Sequence, residues 1–353
     1  MLSTHPRTTI AAFVLVPLAL VLAVQKLIAT SGSLCPEQFG SFSVGHWPPA
    51  CWRPYGPRSP FNTPIPADPR LAADSRRIVA FILAHRWSFE GSGGRPTIDA
   101  GGSRPVYWAQ PSDPLVRVRC REEHSCQHVR SVRFPRRARA ETESDGHLTI
   151  VEQATAREYD FWQAGVPSRG VLRTSAASVI PIGANAGTGL EGDAEAAHLG
   201  LLGGLVRAPE LVAGRIEHAL AMVAPCVQAR DVYPAPAWGR GDAICGAGGA
   251  GPHFGSLLQL NMSEAEISAT GAPRWQRAIM TAMARYGAYV VDTGGASTGT
   301  LDLLKEEDQS FTSFGYAPQM QQFVASLGSG TVGVPIDFSK LRVISPCVPR
   351  HAC

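Results

Sequence analysis

The chain has 353 residues and a formal net charge of +3 at pH 7. That length can bury a large core in one domain or two small ones, and so small a charge gives no footing for a nucleic-acid partner. The 36 Gly and 28 Pro make roughly 18 per cent of the chain, against about 12 per cent in ordinary domains, which disfavours a helical bundle.

At the N-terminus Arg7 precedes an apolar run from Ile10 to Val24, followed by Gln25, Lys26 and small polar residues. Residues 1–34 therefore read as a signal peptide or an N-terminal membrane anchor, the run being short for a span of about 20 residues. The expected location is extracellular or the cell envelope, with membrane contact only through this segment if it stays uncleaved. Eight cysteines follow, all beyond the apolar run. An even number in an exported chain predicts disulfides, and clustering suggests 35 with 51, 120 with 126, 226 with 245 and 347 with 353. A zinc site lacks its usual CxxC spacing.

Residues 35–69 read as a Pro-rich ordered lead-in, 70–327 as a β-rich domain and 328–353 as a C-terminal covering tail. Ile78, Val79, Ile82 and Leu83 share a helical stripe within 72–86. Pro105 to Ala109 and Leu115 to Cys120 read as strands about a QPSDP turn. Eight arginines between Arg117 and Arg139 make this region basic; they suit an acidic polysaccharide or a solvated edge that discourages wrong pairing.

Asp145 to Trp162 (DGHLTIVEQATAREYDFW) carries the sharpest pattern. Alternation on two arms about Gln153–Ala156 predicts a hairpin with Val151 opposite Glu158, Thr149 opposite Asp160 and His147 opposite Trp162. Leu148, Ile150, Tyr159 and Phe161 then form one face, and Asp145, His147, Glu158, Asp160 and Trp162 the other. Acids, an imidazole and an indole together suit a sugar; an ordinary solvent-facing sheet surface is the alternative.

Beyond it, 170–182 predicts another strand pair, and Pro209 opens a short helix that Gly214 closes. Ile216, His218, Leu220 and Met222 then alternate as a strand, with His218 among the apolar set. Gly239 to Gly251 contains GAGGAG without the strand, helix and Lys-Ser/Thr of a nucleotide loop, so no cofactor is expected. Strands follow at 256–262 and 288–292, the second ending at Asp292. A helix is expected over 273–286 with Thr270 as an upstream cap, and a short helix over 301–307.

The Asp145-x-His147 strand, Tyr159-Asp160-x-Trp162, Glu195-Ala-Ala-x-Leu199 leading to Gly204–Arg207, the Gly214-x-Ile216-x-His218-Ala219-Leu220 stretch and Arg285–Gly287 together resemble a broad group of secreted bacterial proteins of unassigned activity. The resemblance covers about residues 58 to 295. It implies a greater weight for Glu195 than for His198, whose place in the group holds a small residue.

The expected fold is mainly β with peripheral helices, a β-sandwich or jelly-roll-like single domain. The expected function is an exported carbohydrate-active protein, a polysaccharide hydrolase or lyase acting on a polysaccharide or cell-envelope glycan. Catalytic candidates are Asp145, His147, Asp160, Glu195 and His218, because glycoside hydrolysis needs one protonated and one ionised carboxyl. Tyr159, Trp162 and Arg207 are the substrate-binding candidates: Trp162 to stack on a sugar ring, and, for a lyase, Arg207 to neutralise a uronate with His147 or Tyr159 as the base. A non-catalytic glycan-binding or envelope protein is the alternative. Asp145, His147 and His218 could instead bind a metal ion, although their spacing is not compact. The sequence leaves the oligomeric state open.

Overall fold

The hairpin forms in the expected register. Strand β7 (Leu148–Glu152) pairs antiparallel with β8 (Arg157–Trp162), setting Thr149 against Asp160 and Val151 against Glu158, with Gln153–Ala156 as the loop. In this computed structural model the described residues are 38–44, 46, 48, 51–84, 97–98, 104–121, 126, 129–142, 144–183, 194–236, 245, 249–293, 302–303, 306–307, 332–333 and 336–353. The expected N-terminal segment 1–34, Cys35, the 184–193 loop and most of the 239–251 loop lie outside them.

Both faces of the hairpin are covered. Leu148, Ile150 and Phe161 are fully buried in a small core shared with Val116, Val132 and Leu172. Each such side chain contributes about 1.5–3 kcal/mol through burial. The opposite face carries Thr149, Val151, Glu158 and Asp160, also without exposed surface. This corrects the expectation of an open polar face: the acids point into the protein.

The small core lies between two sheets. Strands β4 (Arg104–Ala109), β7, β8 and β10 (Ala176–Pro181) form a five-stranded sheet in the order β10-β8-β7-β4-β15, with β15 at Glu306–Glu307. Against it packs a three-stranded sheet, β6-β5-β9, of Ser131–Arg133, Leu115–Cys120 and Val171–Thr174. The strands on either side of QPSDP, and the pair within 170–182, thus part into different sheets instead of pairing with each other. This sheet-on-sheet stacking agrees with a mainly β, sandwich-like single domain, which spans Glu37–Cys353. Several pairs are parallel, including β4 with β7 and β5 with β9. Of the basic run, Arg117, Arg119, Arg121, Arg130, Arg136, Arg137 and Arg139 are exposed.

The larger core lies beyond the hairpin's acidic face. There a mixed seven-stranded sheet includes β11 (Leu220–Ala224), β12 (Leu257–Leu260), β13 (Ala288–Thr293) and β17 (Leu341–Ile344). Helix α1 (Ser75–Ala84) contributes Ile78 and Ile82 to this core, and α4 (Arg274–Arg285) contributes Ile279, Met280 and Met283. The lead-in belongs to the same core: Trp52, Tyr55 and Phe61 have 1% exposure or less.

Helix α2 (Ala208–Ala213) has Pro209 in its first turn and ends at Gly214 with φ 66°, where glycine avoids the steric cost of a left-handed backbone. Helix α3 (Glu264–Ala269), absent from the sequence reading, starts at a Ser263–Glu266 capping box; Thr270 closes this helix and does not cap α4. Strand β11 begins four residues later than Ile216, because the Ala219 amide is held by the Phe61 carbonyl and sheet pairing starts at Leu220. The expected helix at 301–307 is instead two short strands, Asp302–Leu303 (β14) and β15, in different sheets. Within the expected tail, β17 adds to the seven-stranded sheet beside β12. Disulfides join Cys120 to Cys126, Cys226 to Cys245 and Cys347 to Cys353, and Cys51 is disulfide-bonded as well. Such bonds belong to oxidising compartments. Among the described residues no helix is long and apolar enough to cross a membrane.

Candidate functional site

Arg104, the first residue of β4, is the centre of a buried acidic cluster. Its Nη1 lies 3.3 Å from Glu141 Oε1, and its Nη2 lies 3.3 Å from Glu195 Oε1 and 2.8 Å from Asp292 Oδ2. Burial works against the charge of Arg104, but Glu195, Asp292 and Glu141 outweigh it and hold the guanidinium protonated. Asp292 ends β13, so the cluster forms where the two larger sheets meet. The segment from Ala194 bridges them: the Ala197 amide bonds to the Val291 carbonyl, while the Leu201 and Leu202 amides bond to Asp160 and Glu158.

Two carboxyls here are shifted toward their protonated forms. Burial pushes Glu195 well above the usual carboxylate range; Arg104 opposes this, and Asp292 adds to it by charge and by accepting a hydrogen bond. Glu158 is raised in the same direction, by burial first and then by the charge of Asp160. Burial moves Asp160 up to about 6 despite its hydrogen bonds from Thr149 and Leu201. Tyr55 closes this end by donating to Glu158 Oε2 at 2.8 Å. Glu195 and Glu158 are thus both shifted toward the neutral acid, the direction expected of buried carboxyls set beside other acids.

His147 sits beside the cluster with 3% exposure. Its amide donates to Glu141 Oε1 at 2.9 Å, and its Nε2 is 4.0 Å from Asp292 Oδ2. Its Nδ1 and the Nε of Arg104 are buried without a hydrogen-bond partner among the described residues. Such unsatisfied groups are uncommon in a folded interior and point to a place where water or a ligand bonds. Asp292 is the most open member, with 16% of its side chain exposed against 2% for Glu195.

Of the expected catalytic residues, His147, Asp160 and Glu195 therefore converge. Asp160 is fully buried, with one oxygen on the Thr149 hydroxyl at 2.7 Å and the other on the Leu201 amide at 3.0 Å. It positions the segment over the sheet, and its complete burial keeps it from a substrate. Asp145 is exposed and accepts from Trp162 Nε1 at 3.3 Å, at the outer end of the hairpin. Tyr159 lies on the other face, in the small core.

His218 and Arg207 form a second buried cluster around Glu210. Arg207 Nη2 donates to Glu210 Oε1 at 3.0 Å and to the Trp52 carbonyl at 2.6 Å. The ring nitrogens of His218 face Glu210 Oε1 at 3.0 Å and the Ala219 carbonyl at 2.8 Å. Glu210 is buried, which would raise it, yet Arg207 and His218 hold it below the usual carboxylate range. With His147 and His218 in separate clusters, their joint metal site is not formed. Among the described residues no group of three His, Cys, Asp or Glu side chains is placed to hold a metal ion.

The sequence reading missed Arg104 and Glu141, and placed Asp292 only at a strand end. Arg104 is brought to its partners by parallel pairing of β4 with β7, which no local pattern announces. Searches of protein families, curated proteins and solved structures return no match to this chain.

Proposed function

We propose that this chain is an exported carbohydrate-active protein, a polysaccharide hydrolase with Glu195 as general acid and Asp292 as its carboxylate partner. The observation that carries the reading is the pairing of two carboxyls on Arg104 Nη2, Glu195 with 2% of its side chain exposed and Asp292 with 16%, burial raising the pKa of the inner one. Glycoside hydrolysis uses such a pair, two carboxyls whose surroundings push their ionisation apart. His147, whose Nε2 lies 4.0 Å from Asp292 Oδ2 and whose Nδ1 has no partner among the described residues, would orient Asp292 or pass it a proton. In the state described, Glu195 and Asp292 share a proton, closer than the roughly 5–9.5 Å that brackets a glycosidic bond. Asp292, the outer member, must therefore swing aside as sugar enters.

The lyase form has less support. Arg207, its uronate neutraliser, is committed to Glu210 and Trp52, and of its two candidate bases Tyr159 is on the opposite face of the sheet, which leaves His147. The alternative of a non-catalytic glycan-binding or envelope protein draws on the enclosure of the cluster and on the backbone amides that Glu158 and Asp160 hold. Export, which the disulfides support, and kinship with the secreted bacterial group are parts of the same proposal.

Reducing-end and unsaturated-sugar assays over a glycan panel separate these readings. The hydrolase predicts new reducing ends without unsaturated products, with activity reduced about 10²–10⁴-fold in Glu195→Gln and Asp292→Asn. Full activity in both variants removes this site, and glycan binding without turnover selects the binding protein.

A further inference from the structure

A cationic groove runs along helix α4. Arg274, Arg277, Thr281 and Arg285 recur at three- and four-residue steps and so share one side of the helix, which contains no acidic residue. The turn from Gly214 to Glu217 forms the facing wall, and Glu264 contributes to the lining of a cavity of about 400 Å³. Sites for small molecules occupy roughly 300–1,000 Å³.

The charges here are not cancelled internally. Arg215 pairs with Glu217, but among the described residues Arg274, Arg277 and Arg285 have no carboxylate partner. Arg274 donates to the Ala213 carbonyl, and Arg277 Nη1 donates to the Ala272 carbonyl at 2.6 Å. Arg285 lies over the Tyr286 ring, 5.3 Å from its centroid. Neutral carbonyls and a ring face hold each guanidinium in place while leaving its charge and further N–H groups for a ligand. Three such groups around a concavity suit a planar oxyanion, which a guanidinium binds through two parallel hydrogen bonds.

We infer that this groove binds the carboxylate of a uronic-acid saccharide. The oxyanion follows from the three arginines; the sugar that carries it rests on the glycan reading above. Thr281 and Glu264 supply a hydroxyl and a carboxylate for the sugar hydroxyls.

Calorimetric titration of the exported chain, in a Glu195→Gln background to prevent turnover, tests this. The probes are an oligogalacturonate, a neutral gluco-oligosaccharide of equal length, an oligonucleotide of equal charge and inorganic sulfate. The oligogalacturonate is expected to bind preferentially and more weakly as ionic strength rises. The Arg277→Gln/Arg285→Gln pair should lower its affinity at least tenfold at unchanged thermal stability, as loss of charge-assisted hydrogen bonds requires. Arg277→Lys should retain part of the binding. Equal binding of the neutral sugar or the oligonucleotide, sulfate binding without oligogalacturonate binding, or undiminished affinity in the double variant overturns the inference. These readouts need no hydrolysis, so a glycan panel without turnover removes the catalytic proposal and leaves this result standing.

Discussion

Glu195 and Asp292 meet on one nitrogen of Arg104: Nη2 is 3.3 Å from Glu195 Oε1 and 2.8 Å from Asp292 Oδ2. The two acids come from opposite sides of the junction between the larger sheets, one from the bridging segment and one from the end of β13. Arg104 therefore joins the halves of the large core while its charge opposes the burial that raises the candidate acid.

Replacing Arg104 by Met should cost about 3–5 kcal/mol, because carboxylates buried around it lose their counter-charge. Arg104→Lys keeps the charge but offers a single ammonium in place of a planar fork that reaches Glu141 through one nitrogen and two further acids through the other. Its loss should be smaller. Urea denaturation of the three proteins gives the order wild type, Lys, Met; an unchanged midpoint in the Met variant would show that the cluster adds nothing to stability.

Stability should decline as the solution moves from mildly acidic to neutral pH. Folded Glu195, Glu158 and Asp160 hold protons at pH values where the unfolded chain has released them, Asp160 up to about 6. A raised carboxyl pKa therefore favours folding at low pH and loses that contribution as pH rises through the folded value. Glu210 acts in the opposite sense, its contribution fading as pH falls through its depressed value, so the melting temperature should peak near about pH 5. In Glu195→Gln one rising carboxylate is gone, and the decline towards neutrality should be shallower. Thermal melts from acid to neutral pH check both; parallel curves for the two proteins would contradict the trapped proton on Glu195.

The hairpin register was legible because a one-residue slip would set Ile150 against Asp160, and the four-residue loop Gln153–Ala156 fixes the rest. The ends of α2 and α4 were legible for local reasons too, a proline in the first turn of one and a glycine past the end of each. Alternation, however, tells which residues share a face and not what lies against it. That is why the Glu158 and Asp160 face read as an open surface. Arg104 bonds to acids 37, 91 and 188 positions away, distances over which no periodicity carries information. Two-residue strands such as Asp302–Leu303 are too short to show any period at all. The Ser263-x-x-Glu266 box of α3 was visible in the sequence, a local signal that went unread.

Gly200 should tolerate no side chain. A Cβ there would lie 2.0 Å from the Tyr55 hydroxyl and 2.6 Å from Ile180 Cδ1, so alanine must displace the tyrosine from Glu158. Tyr55→Phe removes only the hydroxyl, with its hydrogen bonds to Glu158 and the Gly203 backbone, and should cost about 1–3 kcal/mol. Gly200→Ala adds overpacking of a further 1–3 kcal/mol or about that, and so should be the worse of the two. Denaturation midpoints rank them; a harmless Gly200→Ala would mean that the bridging segment moves freely over the hairpin.

The Arg207–Glu210–His218 cluster should behave as structure and not as chemistry. Glu210 Oε1 receives both Arg207 and His218, and Arg207 reaches the Trp52 carbonyl in the lead-in, so the three residues tie α2, the start of β11 and the lead-in together. Removing the carboxylate with Glu210→Gln leaves buried Arg207 without its counter-charge, at a cost of about 3–5 kcal/mol. The same loss should appear in the wild type as pH falls below the ordinary carboxylate range, and Glu210→Gln should flatten that acid limb. Any glycan turnover, corrected for the folded fraction, should be the same in Glu210→Gln and wild type. A variant that kept its stability and lost turnover would instead move His218 and Arg207 into the reacting site.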